Sequence, residues 1–544
     1  MTLTRRFPDD AGGAARRWLV FTVLAVGTLW LATDGRQYWH DARFAYGCAE
    51  FSLPQLLAGV FNPHQAWGPI DEASSAGFYQ AKPLHFALLC SLFQWLPRGV
   101  GGFEAVVALS VLWVGLAVLA GYWSFRQIFG DERRARFATA CLLLAPVTPY
   151  LAGKLLAEAT SLLPATLAVG MFAGAMRAGG AVAGRAVVGG FLLALAALAR
   201  LDSIVGPVSF LVVAVVIGWR DRPRAFRVGL LGCATFALIY LAAAAVVGVR
   251  FANLRAYFEA FTGSAAKPLA TSLLAIVTTG ALVFVLAAFG LRSRDRSTRL
   301  FTLWAVLVWA PMIALTSAYS VEPRYLVAGL LPLAGLGALG LEVLAERVPR
   351  LLRTPTGLAA ATLVALGLNA AAVALMPYEL DRPALVRAVG VIERSGPGTR
   401  ILVPWAYTDF NFLQAVLPAA EIYCVHSPET EARPEYVDAW RARFRSWYGE
   451  RYLTEPDRLR AFLATGPVYY LGWETYPPLA NARAMAEAVG FRSVSERLGD
   501  LARRKLQNHL EESWIWRSKD LLVLEPAGRV GQYRYFRVRL REPL

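Results

Sequence analysis

Residues 38–50 read YWHDARFAYGCAE and place His40, Asp41 and Arg43 in one short stretch. A carboxylate such as Asp41 can take the proton from a hydroxyl within hydrogen-bond reach, and partial burial raises its pKa toward that task. A guanidinium offers a fork of donors to an oxyanion. Lys82, in the run KPLHF, adds a compact positive charge, and His85 follows on the same run. Further on, Lys154 and Glu158 lie in YLAGKLLAEAT, Arg200 and Asp202 in ARLDS, and Glu322, Arg324 and Tyr325 in YSVEPRY; Tyr46 completes the candidates. Singly, each has a bland reading. It is a solvated loop residue, a surface ion pair worth at most ~1 kcal/mol, or an interfacial side chain reaching for headgroups. The set acquires chemistry only if the chain gathers it on one side of a barrier. His40, His64 and His85 do not fall at zinc-site spacing, and neutral hydrogen bonding is expected of each. A divalent metal is compatible with these residues but nothing in their spacing supports one.

The elements that must position them are those of a membrane protein. Of 544 residues 56% are hydrophobic and only 17% charged, with a mean hydropathy of +0.43. Apolar runs at 17–33, 103–125, 137–150, 156–176, 186–199, 203–219, 228–248, 268–291, 300–317, 325–345 and 356–376 predict about eleven transmembrane helices, since a helix needs about 20 residues to cross the hydrocarbon core. Arg placement tests that count, because cytoplasmic loops carry the basic excess. With the N-terminus inside, the cytoplasmic segments are 1–17, 126–136, 177–185, 220–227, 292–299 and 346–353, holding 21 Arg against seven acids. That excess of 14 nearly accounts for the formal +16 of the chain, so the basic balance reports topology and argues against nucleic acid as a partner. The first run follows Arg16 and Arg17 with no small-x-small cleavage site before Asp34, which predicts an uncleaved signal anchor.

The organisation expected is a membrane domain over 1–377, with a long first extracytoplasmic loop at 34–102, and an extracytoplasmic C-terminal α/β domain over 378–544. Within the loop, 51–61 and 82–96 are apolar, too short to span, and suited to lying in the interface. In the C-terminal part, strands are expected at 400–404, 421–425, 467–471 and 520–525, with helices near 434–447, 455–464 and 478–489. No Gly-rich strand-to-helix turn of the dinucleotide type occurs. Trp39, Trp67, Trp95 and Tyr79 are expected in the interfacial aromatic belt. Of the five cysteines, Cys48, Cys90 and Cys424 fall outside; an odd set makes no disulfide framework, and a Cys48–Cys90 bridge stays open.

The run H-D-A-R-F-A-Y, followed within the same loop by K-P-L-H-F, resembles the first extracytoplasmic loop of GT-C integral-membrane glycosyltransferases. It is most similar to the branch of protein O-mannosyltransferases and lipid A aminoarabinose transferases, whose loop carries an acidic pair, Arg-Tyr and a Lys-Pro-Pro-Leu element. The similarity extends over 17–345, with Glu158 after the third span and P-R-Y-L at 323–326. The resemblance implies transfer of a hexosyl or pentosyl group from a polyprenyl-phosphate carrier to a lipid, glycan or protein acceptor on the outer face of a bacterial-type inner membrane. It maps the acting carboxylate to Asp41 and the phosphate-binding lysine to Lys82, with Arg43 and Arg324 as further phosphate ligands. Phe44 stands where the family commonly has Tyr, and His40 stands where a first acid is expected. One base with no required acid implies inversion at the anomeric carbon, by the single-displacement logic of inverting hydrolases, and no cofactor is required. The rival from another class, a polytopic transporter or lipid flippase, would instead place polar groups at mid-membrane and break its spans in matching halves.

Overall fold

The structure is a computed structural model and describes residues 36–37, 44–59, 72–177, 182–262, 280, 282–318, 323–347, 367, 380–404, 409–426, 437–474, 476–488, 490–512, 515 and 520–541. The expected span 17–33 lies outside these residues, as does 356–376 save residue 367. His40, Asp41, Arg43, His64 and Glu322 also lie outside them.

The first loop folds into short helices: α1 (Phe44–Glu50), α2 (Leu53–Leu57), α3 (Glu72–Gln80) and α4 (Pro83–Trp95). Of the expected 51–61 segment, Leu53–Leu57 is helical, and residues 60–61 lie outside the described residues. Beyond them, α5 (Val100–Phe129) ends at Gly130, whose φ of 75° is left-handed; Asp131 then caps α6 (Glu132–Leu144) by accepting from Arg133 N at 2.8 Å. Gly for the stop and Asp for the start is the expected chemistry of a tight interhelical turn. The apolar run 137–150 is not one helix. It breaks at Ala145, which stands before Pro146 in an extended conformation, as the proline ring requires, and resumes as α7 (Val147–Ala152).

The bundle continues through α8 (Ala157–Ala175), α9 (Val182–Ala199), α10 (Val205–Val216), α11 (Arg222–Val247), α12 (Phe251–Thr262), a helical stretch at 282–290, α13 (Arg296–Ala318) and α14 (Leu330–Arg347). Among the described residues, 100–129, 182–199, 222–247 and 326–344 are long and apolar enough to cross a membrane. On α11, Leu238, Leu241 and Val246 are 65–88% exposed, an apolar face that lipid would cover. Where the 282–290 stretch crosses α14, a Cβ on Gly340 would stand 1.9 Å from Leu286 O. Only glycine allows that approach.

α5 and α8 run parallel, with α6 and α7 returning between them. Trp113 Nε1 donates to Thr160 O at 3.1 Å, and further along Ser124 Oγ donates to Thr166 O at 2.8 Å. This alternation collects the Arg-rich connections at one end of the bundle. There Arg220 Nη2 donates to Ile128 O (2.9 Å), Arg224 Nε to Ala175 O (2.9 Å) and Arg185 Nη1 to Gly174 O (3.1 Å). Each satisfies a carbonyl that a helix C-terminus leaves open, at the negative end of its dipole.

The other end is covered by the C-terminal part. β1 (Arg36–Gln37) pairs antiparallel with β2 (Leu380–Asp381), so the chain just before the His40–Arg43 motif is tied to the start of that part. After α15 (Arg382–Glu393) come β3 (Arg400–Val403), α16 (Asn411–Val416), β4 (Ile422–Cys424), α17 (Val437–Tyr448), α18 (Pro456–Leu463), β5 (Val468–Trp473), α19 (Pro477–Ala488), α20 (Arg492–Glu512), β6 (Leu522–Val530) and β7 (Tyr533–Leu540). The sheet order is β4-β3-β5-β7-β6, parallel across β4, β3 and β5 and antiparallel from β5 to β7 to β6. All four expected strands have counterparts, but β7 was not foreseen. Its sequence YRYFRVRL carries Arg at 534, 537 and 539, and those charges break any apolar alternation; Tyr533 and Val538, on opposite faces of the strand, are buried in two different clusters. One hydrophobic cluster joins the two parts, running from Ala45, Tyr46 and Phe103 to Phe412, Leu413 and Tyr533.

Candidate active site

Pro83 stands at the first position of α4 and makes Lys82 its cap residue. Proline fits there because that N–H has no intrahelical partner to lose. Lys82 is 8% exposed, and its Nζ lies 4.0 Å from the centre of the Phe78 ring, a desolvated cation–π contact worth about 1–2 kcal/mol. One turn on, His85 shares that face. Its Nδ1 lies 2.8 Å from Thr160 Oγ1, on the first turns of α8. The ring is buried, and its pKa falls to about 3, chiefly through burial, with Lys82 and Arg200 each opposing a further positive charge. Burial thus favours the neutral ring, and the bond to Thr160, two residues after Glu158, sets His85 near the Glu158–Arg200 pair.

Glu158 enters from the first turn of α8, 4% exposed, where the helix dipole favours a negative charge. Arg200 ends α9 with an extended backbone and leads into the 3-10 turn Leu201–Ile204. Its guanidinium forks onto Asp202, with Nη2 2.7 Å from Oδ2 and Nε on the other oxygen, while Nη1 pairs with Glu158. The pairing is bidentate on one side and buried on the other, so the guanidinium is fixed in position. Lys154 is fully buried nearby in sequence, and Leu155 between them holds φ at 52°. A left-handed leucine costs roughly 1–2 kcal/mol, a strain of the kind that collects at working sites. The turn Pro323–Gly329, which carries Arg324 and Tyr325, reaches the same end: a Cβ on Gly206 would lie 3.1 Å from Ala328 O.

Of the candidate residues, the structure thus brings Lys82, His85, Glu158 and Asp202 to one end of the bundle, with the backbone of Arg324 and Tyr325. Tyr46 is not among them. Its ring is fully buried between Phe103 (5.6 Å) and Phe412 (5.3 Å), where it serves the core joining the first loop to the C-terminal part. Tyr79 does not join an aromatic belt either; it is buried 4.7 Å from Phe86 and 5.1 Å from Phe78. Trp95 is 88% exposed. Thr160 was missed as a candidate, although it lies two residues beyond Glu158 and its hydroxyl orients His85. Arg200, read from sequence only as a partner of Asp202, is the residue that joins two acids. Among the described residues no three His, Cys, Asp or Glu side chains converge as metal ligands would.

No protein-family model matches the sequence, and no curated protein is detectably similar to it. Among solved structures, the chain is similar to the crystal structure of ArnT from Cupriavidus metallidurans in the apo state. The two share 16% identity over 96% of this chain and 98% of that one, at a TM-score of 0.56. The same ArnT bound to undecaprenyl phosphate aligns over the same shares at a TM-score of 0.54. At that identity the likeness establishes a shared fold along essentially the whole chain.

Proposed function

We propose that the protein is a GT-C-type glycosyltransferase. It moves a sugar from a polyprenyl-phosphate carrier to a lipid, glycan or protein acceptor at the outer face of a bacterial inner membrane. The observation that carries this reading is the meeting of Lys82, neutral His85, Arg200 and Glu158 at the bundle end opposite the arginine-rich connections. A fold shared with a protein crystallised with undecaprenyl phosphate supports it. The arginine-rich end is the cytoplasmic one by the positive-inside rule. Residues 34–102 and the C-terminal part from 378 then face outward as an extracytoplasmic loop and α/β domain.

In this reading Lys82 and the open N–H groups at the start of α4 bind the donor phosphate, and Arg43 and Arg324 are the forked donors that neutralise charge on it as the sugar leaves. Arg200, paired with Glu158 and Asp202, holds both carboxylates in fixed positions beside the site. Asp41 takes the proton from the acceptor hydroxyl as that oxygen attacks the anomeric carbon. The departing polyprenyl phosphate is already a stable anion, so the leaving group needs no acid, and a single displacement inverts the anomeric centre. Neutral His85 holds a hydrogen bond without adding charge that would compete with Lys82. Lipid molecules flank the bundle, and the donor approaches through them beside 320–326.

The test is transfer by the purified protein in lipid nanodiscs, supplied with polyprenyl-phosphate carriers bearing radiolabelled hexoses or pentoses and a membrane extract as acceptor. Label should pass to an acceptor with inverted anomeric configuration. Retained configuration would remove the single-displacement mechanism, and an absence of transfer from every such donor would remove the function.

A further inference from the structure

The mechanism above leaves one pair of reactive groups unused. Cys48 on α1 and Cys90 on α4 are both buried, 2% and 3% exposed, in the cluster that joins the first loop to the C-terminal part. α1 packs against α4 in that cluster. Cys90 Sγ lies 3.9 Å from the carbonyl oxygen of Phe51, whose N–H closes the last turn of α1 on Gly47, the residue before Cys48, so the two thiols come together. No other pair among the five cysteines is placed this way among the described residues: Cys141 is buried on α6, Cys233 is exposed on α11, and Cys424 ends β4.

The two helices are the ones whose relative placement matters. α1 directly follows the stretch carrying Asp41 and Arg43, and α4 directly follows Lys82. A covalent tie between them would hold the base and the phosphate-binding lysine in one frame. Both cysteines fall in the segment read as extracytoplasmic, where thiols meet an oxidising environment. The inference rests on that sidedness.

We propose that Cys48 and Cys90 are a modification site, oxidised to an intramolecular disulfide that staples the Asp41-bearing segment to the Lys82-bearing helix. The oxidant is a protein or small-molecule disulfide of the extracytoplasmic compartment. Cys90 thiolate attacks one sulfur of that disulfide, giving a mixed disulfide and releasing the first oxidant thiolate. Cys48 thiolate then attacks the Cys90 sulfur, closing the bridge and releasing the second. Two protein thiols lose two protons and two electrons, and the oxidant disulfide becomes a dithiol. Both groups are shielded in the folded protein, so the bridge forms before α1 and α4 close over it and is afterwards protected from reductants.

The experiment is peptide mapping of the full-length protein, purified without reductant, unfolded in detergent with a maleimide and digested before or after reduction. The peptides holding Cys48 and Cys90 should be recovered joined, two hydrogens lighter than their sum, and should take label only after reduction. Full labelling of both cysteines without reduction overturns the proposal. As a second measurement, the wild type should unfold several degrees higher without reductant than with it, and C48A/C90A should show no such difference; an equal difference in C48A/C90A counts against the bridge. Transfer assayed on the same preparation separates the two readings. A joined peptide in a protein that transfers nothing keeps the bridge and removes the function, and active protein with both thiols labelled does the reverse.

Discussion

The two ends of the helical bundle are built from the same residue types and do different work. At the arginine-rich end, Arg134 bonds Glu342 at 3.0 Å and Asp295 at 2.7 Å, with all three side chains 22–25% exposed. At the other end, Arg200 bonds Glu158 and Asp202 with its own side chain 11% exposed and that of Glu158 only 4%. Each is a guanidinium held by more than one acid, Arg134 having Asp131 as a third at 3.8 Å. The first is reached by water and shares its end with arginines that cap helix C-termini, so it reads as packing and topology. The second is dry on one side, stands beside Lys82 and a histidine kept neutral, and follows a strained leucine. Burial separates them: charge removed from water is costly unless it is paired, and it is then fixed in position.

The largest contrast should appear in activity. Asp41→Asn should lower transfer by roughly 10²–10⁴-fold, the usual span for loss of a general base, while Arg134→Ala should leave the rate per folded protein near wild type. Transfer by Asp41→Asn at the wild-type rate would show that the chemistry lies elsewhere. Lys82→Ala should raise the donor KM by about 10–100-fold, the equivalent of roughly 1.4–2.8 kcal/mol of lost phosphate binding; an unchanged donor KM would take the phosphate away from Lys82.

Stability should divide the two triads next. Arg200→Ala leaves Glu158 buried without its counterion and should cost about 3–5 kcal/mol, whereas Arg134→Ala, at partly hydrated pairs, should cost about 1 kcal/mol. Thermal unfolding in detergent compares them directly, and equal losses would erase the distinction drawn here. Adding Glu158→Gln to Arg200→Ala should recover part of the loss, because the two sites are in contact.

The smallest effect is a pH dependence confined to the site end. The folded pKa of His85, about 3, lies below its ordinary 6.5. The unfolded chain therefore binds an extra proton below pH 6.5, and the stability His85 contributes is full above that value and lost as pH falls toward 3. The slope approaches about 1.4 kcal/mol per pH unit. Unfolding temperature measured between pH 7.5 and 5 should fall less steeply in His85→Gln than in wild type. Parallel curves would mean that His85 takes up its proton without opening the site.

Much of this was legible in the sequence. The apolar runs and Arg spacing are local properties, and the cost of leaving a backbone unsatisfied in lipid turns such runs into helices. The runs that misled were those where one residue overrode composition: Pro146 split 137–150, and three arginines disguised β7. Glu158 and Asp202 were singled out because ionisable residues beside membrane-length apolar runs are rare, and Lys82 because its K-P-L-H-F run resembles a family element; the structure brings them, with His85, to one end of the bundle. Tyr79 was misjudged because an aromatic ring at a loop edge has the same sequence appearance whether it meets headgroups or another part of the chain.

By itself, then, the sequence determined most of the helical segments among the described residues and which polar residues stand at their ends. Only the tertiary structure decided which of those ends meet. Arg200 reaches an acid 42 residues earlier, His85 reaches Thr160 75 residues later, and Cys48 comes to lie beside Cys90. Periodicity fixes the face and the end of a helix on which a residue stands, but it carries no information about which helix packs alongside. That choice comes from close packing, from glycines that admit a neighbour's backbone, and from the shared aromatic core that binds the first loop to the C-terminal sheet.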